Sequence, residues 1–166
     1  MTDVPIDADD VDDIRIRRAM FTDERAVLAL VPRLVAFGPP LWRDAAGMSV
    51  TDHKVIVNAL KSETDDPIVL VAEAGPNDVA GFIHLHSLVD YYTERKHGHV
   101  ADIVVAEHAE GRGIARHLLS AGEDWARDQG YDWLTISVFE ENARAAQLYE
   151  RVGFSRDIIR LLKPLR

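Results

Sequence analysis

The sequence predicts one α/β (α+β) domain, with a single mixed, mostly antiparallel β-sheet flanked by helices on both faces. Strand-like alternation and helix-like spacing of apolar residues occur in separate segments, in the order βααβββαβαβ. The chain has 166 residues, 47 % of them hydrophobic, and shows no internal repeat or linker, which is the size and composition of one domain. We therefore expect a folded domain over 14–166 behind a tail over 1–13.

Composition restricts the classes of partner. Six of the first thirteen residues are Asp, which predicts a disordered acidic tail without the basic and apolar regions of a signal peptide. The net charge is −9 and the 19 Lys and Arg are scattered, so a nucleic-acid partner is not expected. No apolar run is long enough to span a membrane. These features predict a cytoplasmic protein with no membrane partner.

The first half of the chain predicts a strand, two helices and a second strand. Residues 14–17 alternate apolar with polar side chains, and Thr22 is placed to cap a helix that runs to about Leu34. After a loop that contains two prolines, Thr51 or Asp52 is placed to cap a second helix. This second helix is expected to end near Lys61. A strand over 68–72, a turn over 75–78 and a strand over 79–88 follow it.

The second half predicts two more strand–helix units. A strand over 100–105 leads through a turn into a helix from about Ile114 to Gly130. A strand over 134–138 precedes a last helix that Asn142 caps. Residues 158–162 are expected to add a final strand to the sheet.

The turn over 110–116 predicts an anion site. The first turn of a helix has N–H groups without intrahelical acceptors and carries the positive end of the helix dipole, so it binds phosphate. A dinucleotide-binding turn requires a small residue where Arg116 stands, and a P-loop requires a Gly-Lys-Ser/Thr sequence that is absent. Arg112 and Arg116 flank the turn and either contact phosphate oxygens or are solvated surface side chains.

Two motifs in fixed order resemble the GCN5-related N-acetyltransferase (GNAT) family. The family signature Arg/Gln-x-x-Gly-x-Gly/Ala corresponds here to Glu110-x-x-Gly113-x-Ala115, which departs at its first position. The second motif is Asn142-x-x-Ala145-x-x-x-Tyr149-x-x-x-Gly153-Phe154. We expect the Glu110 carboxylate to weaken cofactor binding by repelling the pyrophosphate.

The resemblance implies an acyl-CoA N-acyltransferase-like fold and an acetyl-CoA-dependent enzyme. The acceptor would be a primary amine of a small molecule or peptide, and a homodimer is compatible with it. The alternative is a CoA-binding sensor or interaction module with little turnover. The cofactor-binding residues implied are Ile103, Val104, Val105, Gly111, Arg112, Gly113, Ile114, Ala115, Arg116, Asn142, Ala145 and Tyr149.

Amine acetylation requires a base for the ammonium and an acid for the leaving thiolate. The resemblance gives Tyr149 as the acid, although most helical tyrosines are simply packed in the core. Asp102, on the fourth strand, is the candidate base, or else a polar side chain satisfied by neighbouring backbone. Because the chain has no Cys, we expect direct transfer without a covalent thioester on the enzyme.

Two further groups of side chains have open roles. His84 and His86 share one face of a strand and should lie near His99, where they could supply the base or bind zinc, although their spacing is not that of a typical zinc site, and no metal is expected. Aromatic and acidic residues in two loops suit an alkylammonium acceptor, or are exposed loop residues or dimer contacts. These residues are Phe37, Leu41, Trp42, Asp90, Tyr91, Tyr92 and Glu94.

Overall fold

The computed structural model describes residues 14–165, and the predicted acidic tail over 1–13 lies outside them. The elements follow the order β1 (Arg15–Arg18), α1 (Glu24–Leu30), α2 (Ala45–Leu60), β2 (Ile68–Glu73), β3 (Val79–Val89), β4 (Lys96–Val105), α3 (Ile114–Asp128), β5 (Leu134–Ile136) and α4 (Ala143–Arg151). Short 3₁₀ turns occur at Phe21–Asp23, Val31–Val35 and Glu107–Ala109.

The five strands form one sheet in the order β1-β2-β3-β4-β5. The pairings from β1 to β4 are antiparallel and the β4–β5 pairing is parallel, which confirms the predicted mixed, mostly antiparallel sheet. A bulge interrupts the β3–β4 ladder, where His84 pairs with Asp102 and the next residue, Leu85, pairs with Val100. Ala101 is the extra residue on β4. Because β4 accommodates it in the bulge, paired residues of β3 and β4 point to the same face of the sheet both before and after the bulge.

Helices cover both faces of the sheet, as predicted. On one face, α1 and α2 pack on the sheet through a cluster that includes Val27, Ile56, Phe82 and Val104. On the other face, the apolar stripe of α3 packs on alternate residues of the same strands, and Tyr149 of α4 joins this cluster. The two clusters divide β3 and β4 into one set of side chains that faces α1 and α2 and one that faces α3 and α4.

The first helical segment is shorter than predicted. Thr22 does not cap it; instead the Asp23 carboxylate accepts a hydrogen bond from the Met20 N–H at 2.7 Å and a bidentate pair from Arg17. After Leu30 the chain continues as a 3₁₀ turn, in which Pro32 has no N–H to donate to an α-helical ladder.

The start of α2 was predicted wrongly. The helix begins at Ala45, because the Asp44 carboxylate accepts hydrogen bonds from the N–H groups of Ala46 at 3.2 Å and Gly47 at 2.9 Å. Thr51 and Asp52, the predicted caps, lie inside the helix. This places Asp52 one turn before Ile56, on the side of α2 that faces the sheet.

Strand boundaries also differ at three places. β4 begins at Lys96, four residues before the prediction, and β5 ends at Ile136, two residues before it. Residues 158–162, predicted as a closing strand, belong to no strand within the described part of the chain. Their apolar residues come in adjacent pairs, Ile158 with Ile159 and Leu161 with Leu162, which does not match the two-residue period of a half-buried strand.

Among residues 14–165, none of the helices has both the length and the apolar composition needed to cross a membrane.

Candidate active site

The sheet opens between β4 and β5. These strands pair only at Gly98–Leu134, His99–Thr135 and Val100–Ile136, so β5 gives no ladder partner to residues 101–105. This stretch contains the predicted cofactor-contacting residues Ile103, Val104 and Val105. Ile103 and Val105 pack towards α3 and α4, whereas Val104 packs towards α1 and α2. The opening therefore exposes one edge of β4 beside the loop that leads to α3.

The turn that was predicted to bind an anion contains two glycines with left-handed backbone angles. Gly111 and Gly113 have φ angles of 81° and 78°, and Gly113 is the N-cap of α3 without a side-chain cap. Left-handed φ values favour glycine, and the N–H groups of the first turn of α3 have no intrahelical acceptor. Arg112 is half-buried in this turn, and Arg116 is exposed in the first turn of the helix. Ile114 is buried, and Ala115 is half-buried.

Glu110 is held by two arginines. Its Oε1 accepts from Arg33 Nη2 at 2.6 Å and its Oε2 from Arg144 Nη2 at 3.0 Å. Arg33 Nε also donates to the Val105 carbonyl at 2.9 Å. The carboxylate thus joins the 3₁₀ turn after α1, the anion-site turn and the first turn of α4. The expectation that Glu110 repels a pyrophosphate assumed a free carboxylate, whereas this one is paired with two cations.

Tyr149 lies at the inner side of α4. The residue is 9 % exposed, its ring packs against Phe154 at a centroid distance of 6.1 Å, and burial raises the pKa of its hydroxyl to about 12. Asn142 is the N-cap of α4, and its side chain accepts from the Ala145 N–H at 3.3 Å. Asn142 and Ala145, both in the second motif, therefore fix where α4 starts, and the start of α4 sets the position of Tyr149.

Asp102 faces the opposite side of the sheet, towards α2. Its Oδ2 lies 2.8 Å from Nδ1 of His84, whose side chain is 4 % exposed. Asp52 approaches the same place from α2. Burial and the negative charge of Asp102 raise the pKa of Asp52. A buried imidazole and two carboxylates therefore meet beside the bulge of β4.

The three histidines form a row on this face, as predicted. The ring centroids of His84 and His86 are 5.7 Å apart and those of His86 and His99 are 5.4 Å apart. Nδ1 of His99 lies 2.8 Å from the Thr135 hydroxyl, and burial, together with the charges of neighbouring histidines, lowers the His99 pKa to about 4. In residues 14–165, no group of three His, Cys, Asp or Glu has the arrangement to hold a metal ion.

Two loops meet across the opening. Phe37, after the 3₁₀ turn that follows α1, stacks on Phe139 at 5.3 Å with an interplanar angle of 22°. Phe139 lies three residues beyond β5, where the strand has left β4. The Arg43 guanidinium carbon lies 4.3 Å from the Trp42 ring centroid and 5.3 Å from that of Phe139. The predicted loop aromatics divide accordingly: Phe37 and Trp42 belong to this cluster, whereas Tyr91 and Tyr92 pack on each other at the exposed β3–β4 turn.

The parallel strands β4 and β5 separate beside the glycine-containing start of α3 and the buried Tyr149. The model of the acetyltransferase (GNAT) family matches residues 40–154, and the chain belongs to this family. It is an acetyl-CoA-dependent N-acetyltransferase. The resemblance drawn from the two motifs is confirmed, as are the enzyme class and the cosubstrate.

Individual relatives and solved structures agree with this assignment. The N-acetyltransferase YhfO of Bacillus subtilis is 26 % identical over 144 residues, which cover 87 % of this chain and 91 % of the relative. Streptothricin acetyltransferase of Streptomyces lavendulae is 34 % identical over 95 residues, which cover 57 % of this chain and 48 % of the relative.

Two solved structures share the fold. The match to a putative acetyl transferase from Pyrococcus furiosus has a TM-score of 0.75 at 19 % identity. It covers 92 % of this chain and 100 % of the other chain. The match to the aminoglycoside N-acetyltransferase AAC(6')-Iy in complex with CoA has a TM-score of 0.71 at 18 % identity. It covers 92 % of this chain and 95 % of the other chain.

Several residues near the candidate site were not predicted from the sequence. Asp52 could have been found, because it precedes Ile56 and Ala59 at helical spacing and so shares their buried face. Arg33, Arg43 and Phe139 gave no comparable signal, since each meets its partners only through the fold.

Proposed function

We propose that this enzyme transfers acetyl directly to a primary amine of a small molecule, with Asp102 as the proton acceptor and the Tyr149 hydroxyl as the hydrogen-bond donor to the leaving thiolate. The observation that carries this proposal is their placement on opposite faces of the sheet opening. Asp102 faces α2, and Tyr149 belongs to the core on the α3 and α4 side. An amine that enters from the α2 face then has its base on one side of the reacting carbon and the acid on the other.

The turn before α3 fits the phosphates of the cosubstrate. At Gly111 no atom lies within 4 Å of the position that a Cβ would occupy, and at Gly113 only the His117 ring does, at 3.9 Å. The turn thus leaves its backbone open to close approach. The residues proposed to hold acetyl-CoA are those implied by the resemblance: Ile103, Val104, Val105, Gly111, Arg112, Gly113, Ile114, Ala115, Arg116, Asn142, Ala145 and Tyr149. Of these, Asn142 and Ala145 act by fixing the start of α4.

When bound, acetyl-CoA supplies an acetyl group activated as a thioester. Asp102 takes the proton that the attacking ammonium must lose, because a protonated amine has no lone pair. His84 holds the Asp102 carboxylate in place through the 2.8 Å contact. Backbone N–H groups of β4 along the opening would stabilise the negative charge on the carbonyl oxygen. The Tyr149 hydroxyl donates a hydrogen bond to the departing thiolate, and no side chain of the enzyme is acetylated.

The acidic surroundings favour cationic amines. Asp52 and Asp102 lie together on the acceptor side, and the chain has a net charge of −9. Among structural neighbours, one structure is an AAC(6')-Iy complex with a bisubstrate analogue of CoA and acetylneamine. That neighbour supports a small-molecule acceptor.

A panel of amines tests the proposal. Release of CoA thiol from acetyl-CoA would be measured against small alkylamines, diamines, aminoglycosides and a peptide with a free N-terminus. Turnover with a small amine, and its loss in Asp102→Asn, is the expected result. Binding of CoA without turnover on any amine would favour the alternative, a CoA-binding sensor.

The assembly and location are also proposals. Apolar side chains of the last segment, such as Ile158 at 77 % and Leu161 at 90 % exposure, support a homodimer that covers them. We place the enzyme in the cytoplasm, since its donor must be supplied where it works. Sedimentation equilibrium and cell fractionation test these two points.

A further inference from the structure

The Arg43 guanidinium lies between two aromatic rings that belong to different loops. It is 4.3 Å from the Trp42 centroid and 5.3 Å from the Phe139 centroid, and Phe37 stacks on Phe139. Within residues 14–165, Arg43 has no carboxylate partner. Its charge is therefore held by aromatic faces rather than by an ion pair, although the chain has an excess of carboxylates.

This cluster joins the segment that leads into α2 to the segment that follows β5. Phe37 and Trp42 belong to the connection between α1 and α2, and α2 carries Asp52 towards Asp102. Phe139 follows β5 at the point where that strand has separated from β4. The aromatic cluster thus connects the start of α2, the helix that carries Asp52, to the segment after β5.

We propose that Trp42 and Phe139 form a subsite for a second cationic group of the acceptor, which Arg43 occupies in the empty protein. This inference rests on the proposed function, and it defines the acceptor as a molecule with at least two cationic groups. One amine reaches Asp102, and the other ammonium or guanidinium displaces Arg43 from the aromatic faces. Trp42 is 55 % exposed, so an incoming cation has access to its ring.

Displacement of Arg43 is physically reasonable because both states use the same kind of contact. Arg43 is exposed and has a long side chain that can turn to solvent and regain hydration. An acceptor cation then makes cation–π contacts of similar strength, and its other end is held by Asp102 and Asp52. Arg43 acts as an internal competitor, so monoamines gain nothing from its removal while dications do.

The test compares pentylamine with 1,5-diaminopentane, which have the same chain length but one and two ammonium groups. The readout is the ratio of kcat/KM for the diamine to that for the monoamine. Arg43→Gln should raise this ratio by about two- to fivefold, because the competitor for the aromatic faces is removed. Trp42→Leu and Phe139→Leu should lower it by a similar factor.

Arg127→Gln is the matched control for charge. Arg127 lies on α3 and pairs with Glu123 and Asp124, so its removal costs the chain the same charge at a distant place. Its ratio should equal that of the wild type. Circular dichroism and thermal unfolding of each variant would show that the fold is retained.

Two results would overturn the subsite. If Arg43→Gln lowers kcat/KM equally for both amines, Arg43 only ties the two loops together. If Trp42→Leu and Phe139→Leu leave the ratio unchanged, the aromatic faces do not contact the acceptor. Either result, in a protein that still acetylates both amines, leaves the proposed function standing. Absence of turnover with every amine in the wild type would instead refute the proposed function.

Discussion

Replacing Tyr149 by Phe removes one hydroxyl and keeps the ring. The ring is almost fully buried in the core beside α3 and packs against Phe154. Among the described residues, nothing forms a hydrogen bond with the Tyr149 hydroxyl. The substitution should therefore change the free energy of unfolding by less than about 1 kcal/mol, and any larger effect on turnover reports on catalysis.

The size of the effect follows from two pKa values. Burial raises the pKa of Tyr149 to about 12, whereas a free thiol has a pKa of about 8.5. Complete proton transfer from tyrosine to thiolate would be uphill by about 3.5 pKa units, or about 5 kcal/mol. Tyr149 therefore acts mainly as a hydrogen-bond donor to a developing charge, an interaction worth about 1.5–3 kcal/mol. The expected loss in kcat for Tyr149→Phe is about 10- to 150-fold.

The assay measures kcat from thiol release at saturating acetyl-CoA and amine, with CoA affinity from calorimetry. Affinity should change by less than about twofold, because the missing contact forms only as charge develops. Tyr131→Phe is the control, since Tyr131 is half-buried and its ring packs at 5.8 Å on Trp125, near the end of α3 that is remote from the Gly113 turn. It should have the kcat of the wild type.

A wild-type kcat in Tyr149→Phe would mean that the Tyr149 hydroxyl takes no part in catalysis and that the residue only packs in the core. A second observation bears on the same reasoning. With a pKa of about 12, the hydroxyl stays protonated through pH 10, so it should cause no fall in kcat between pH 8 and 10. A fall in that range that disappears in the Phe variant would contradict the argument.

Four further predictions concern other parts of the site. Gly113→Val should weaken CoA binding by at least about tenfold in calorimetry while the far-ultraviolet circular dichroism stays native, because a β-branched residue resists a φ of 78°. Asp102→Asn should lower kcat/KM by about 100-fold or more at pH 7 and recover part of it at alkaline pH, where the amine deprotonates in solution; a pH-independent loss would argue against a base. The His99 pKa is lowered to about 4 from an unfolded value near 6.5, so its contribution to stability is complete above pH 6.5 and is lost as the pH falls towards 4. Urea unfolding at pH 7.5 and 4.5 should show a loss on the order of 2–3 kcal/mol that His99→Gln reduces. Finally, a double-mutant cycle of Glu110→Gln with Arg33→Gln should give a coupling of about 0.2–1 kcal/mol in unfolding, and zero coupling would mean that the pair contributes nothing.

Much of the fold could be predicted because it depends on local patterns. The strands at the centre of the sheet and α3 have strong apolar periodicity, and the Asn142 cap is a local interaction with Ala145. The start of α2 was predicted wrongly because several residues that can cap a helix lie close together in the sequence. Asp44, Thr51 and Asp52 can each cap a helix, and in the structure Asp44 does so by accepting hydrogen bonds from the N–H groups of Ala46 and Gly47.

The candidate site could be predicted in part for the same reason. The resemblance supplied the anion-site turn and Tyr149, and the register of a hairpin brought the histidines together. Asp52 and the aromatic cluster around Arg43 were not predicted, because they depend on how α2 and two loops pack on the sheet. Such contacts join residues far apart in the chain, and no local spacing encodes them.

Glu110 shows why a departure from a family signature must be interpreted in three dimensions. Alone at a helix start, a carboxylate in place of Arg or Gln would oppose an anion. In the fold, Arg33 reaches it from 77 residues away and Arg144 from 34, so two cations surround one anion at this turn. Arg33 also lies 3.7 Å from the Glu107 carboxylate, so two guanidinium groups are paired with two carboxylates and the cluster carries no net charge. Arg33 also binds the Val105 carbonyl, which ties this cluster to the open edge of β4. The Glu110 carboxylate is thus neutralised in the fold rather than left to oppose an anion, and its pair with Arg144 links the cofactor turn to α4.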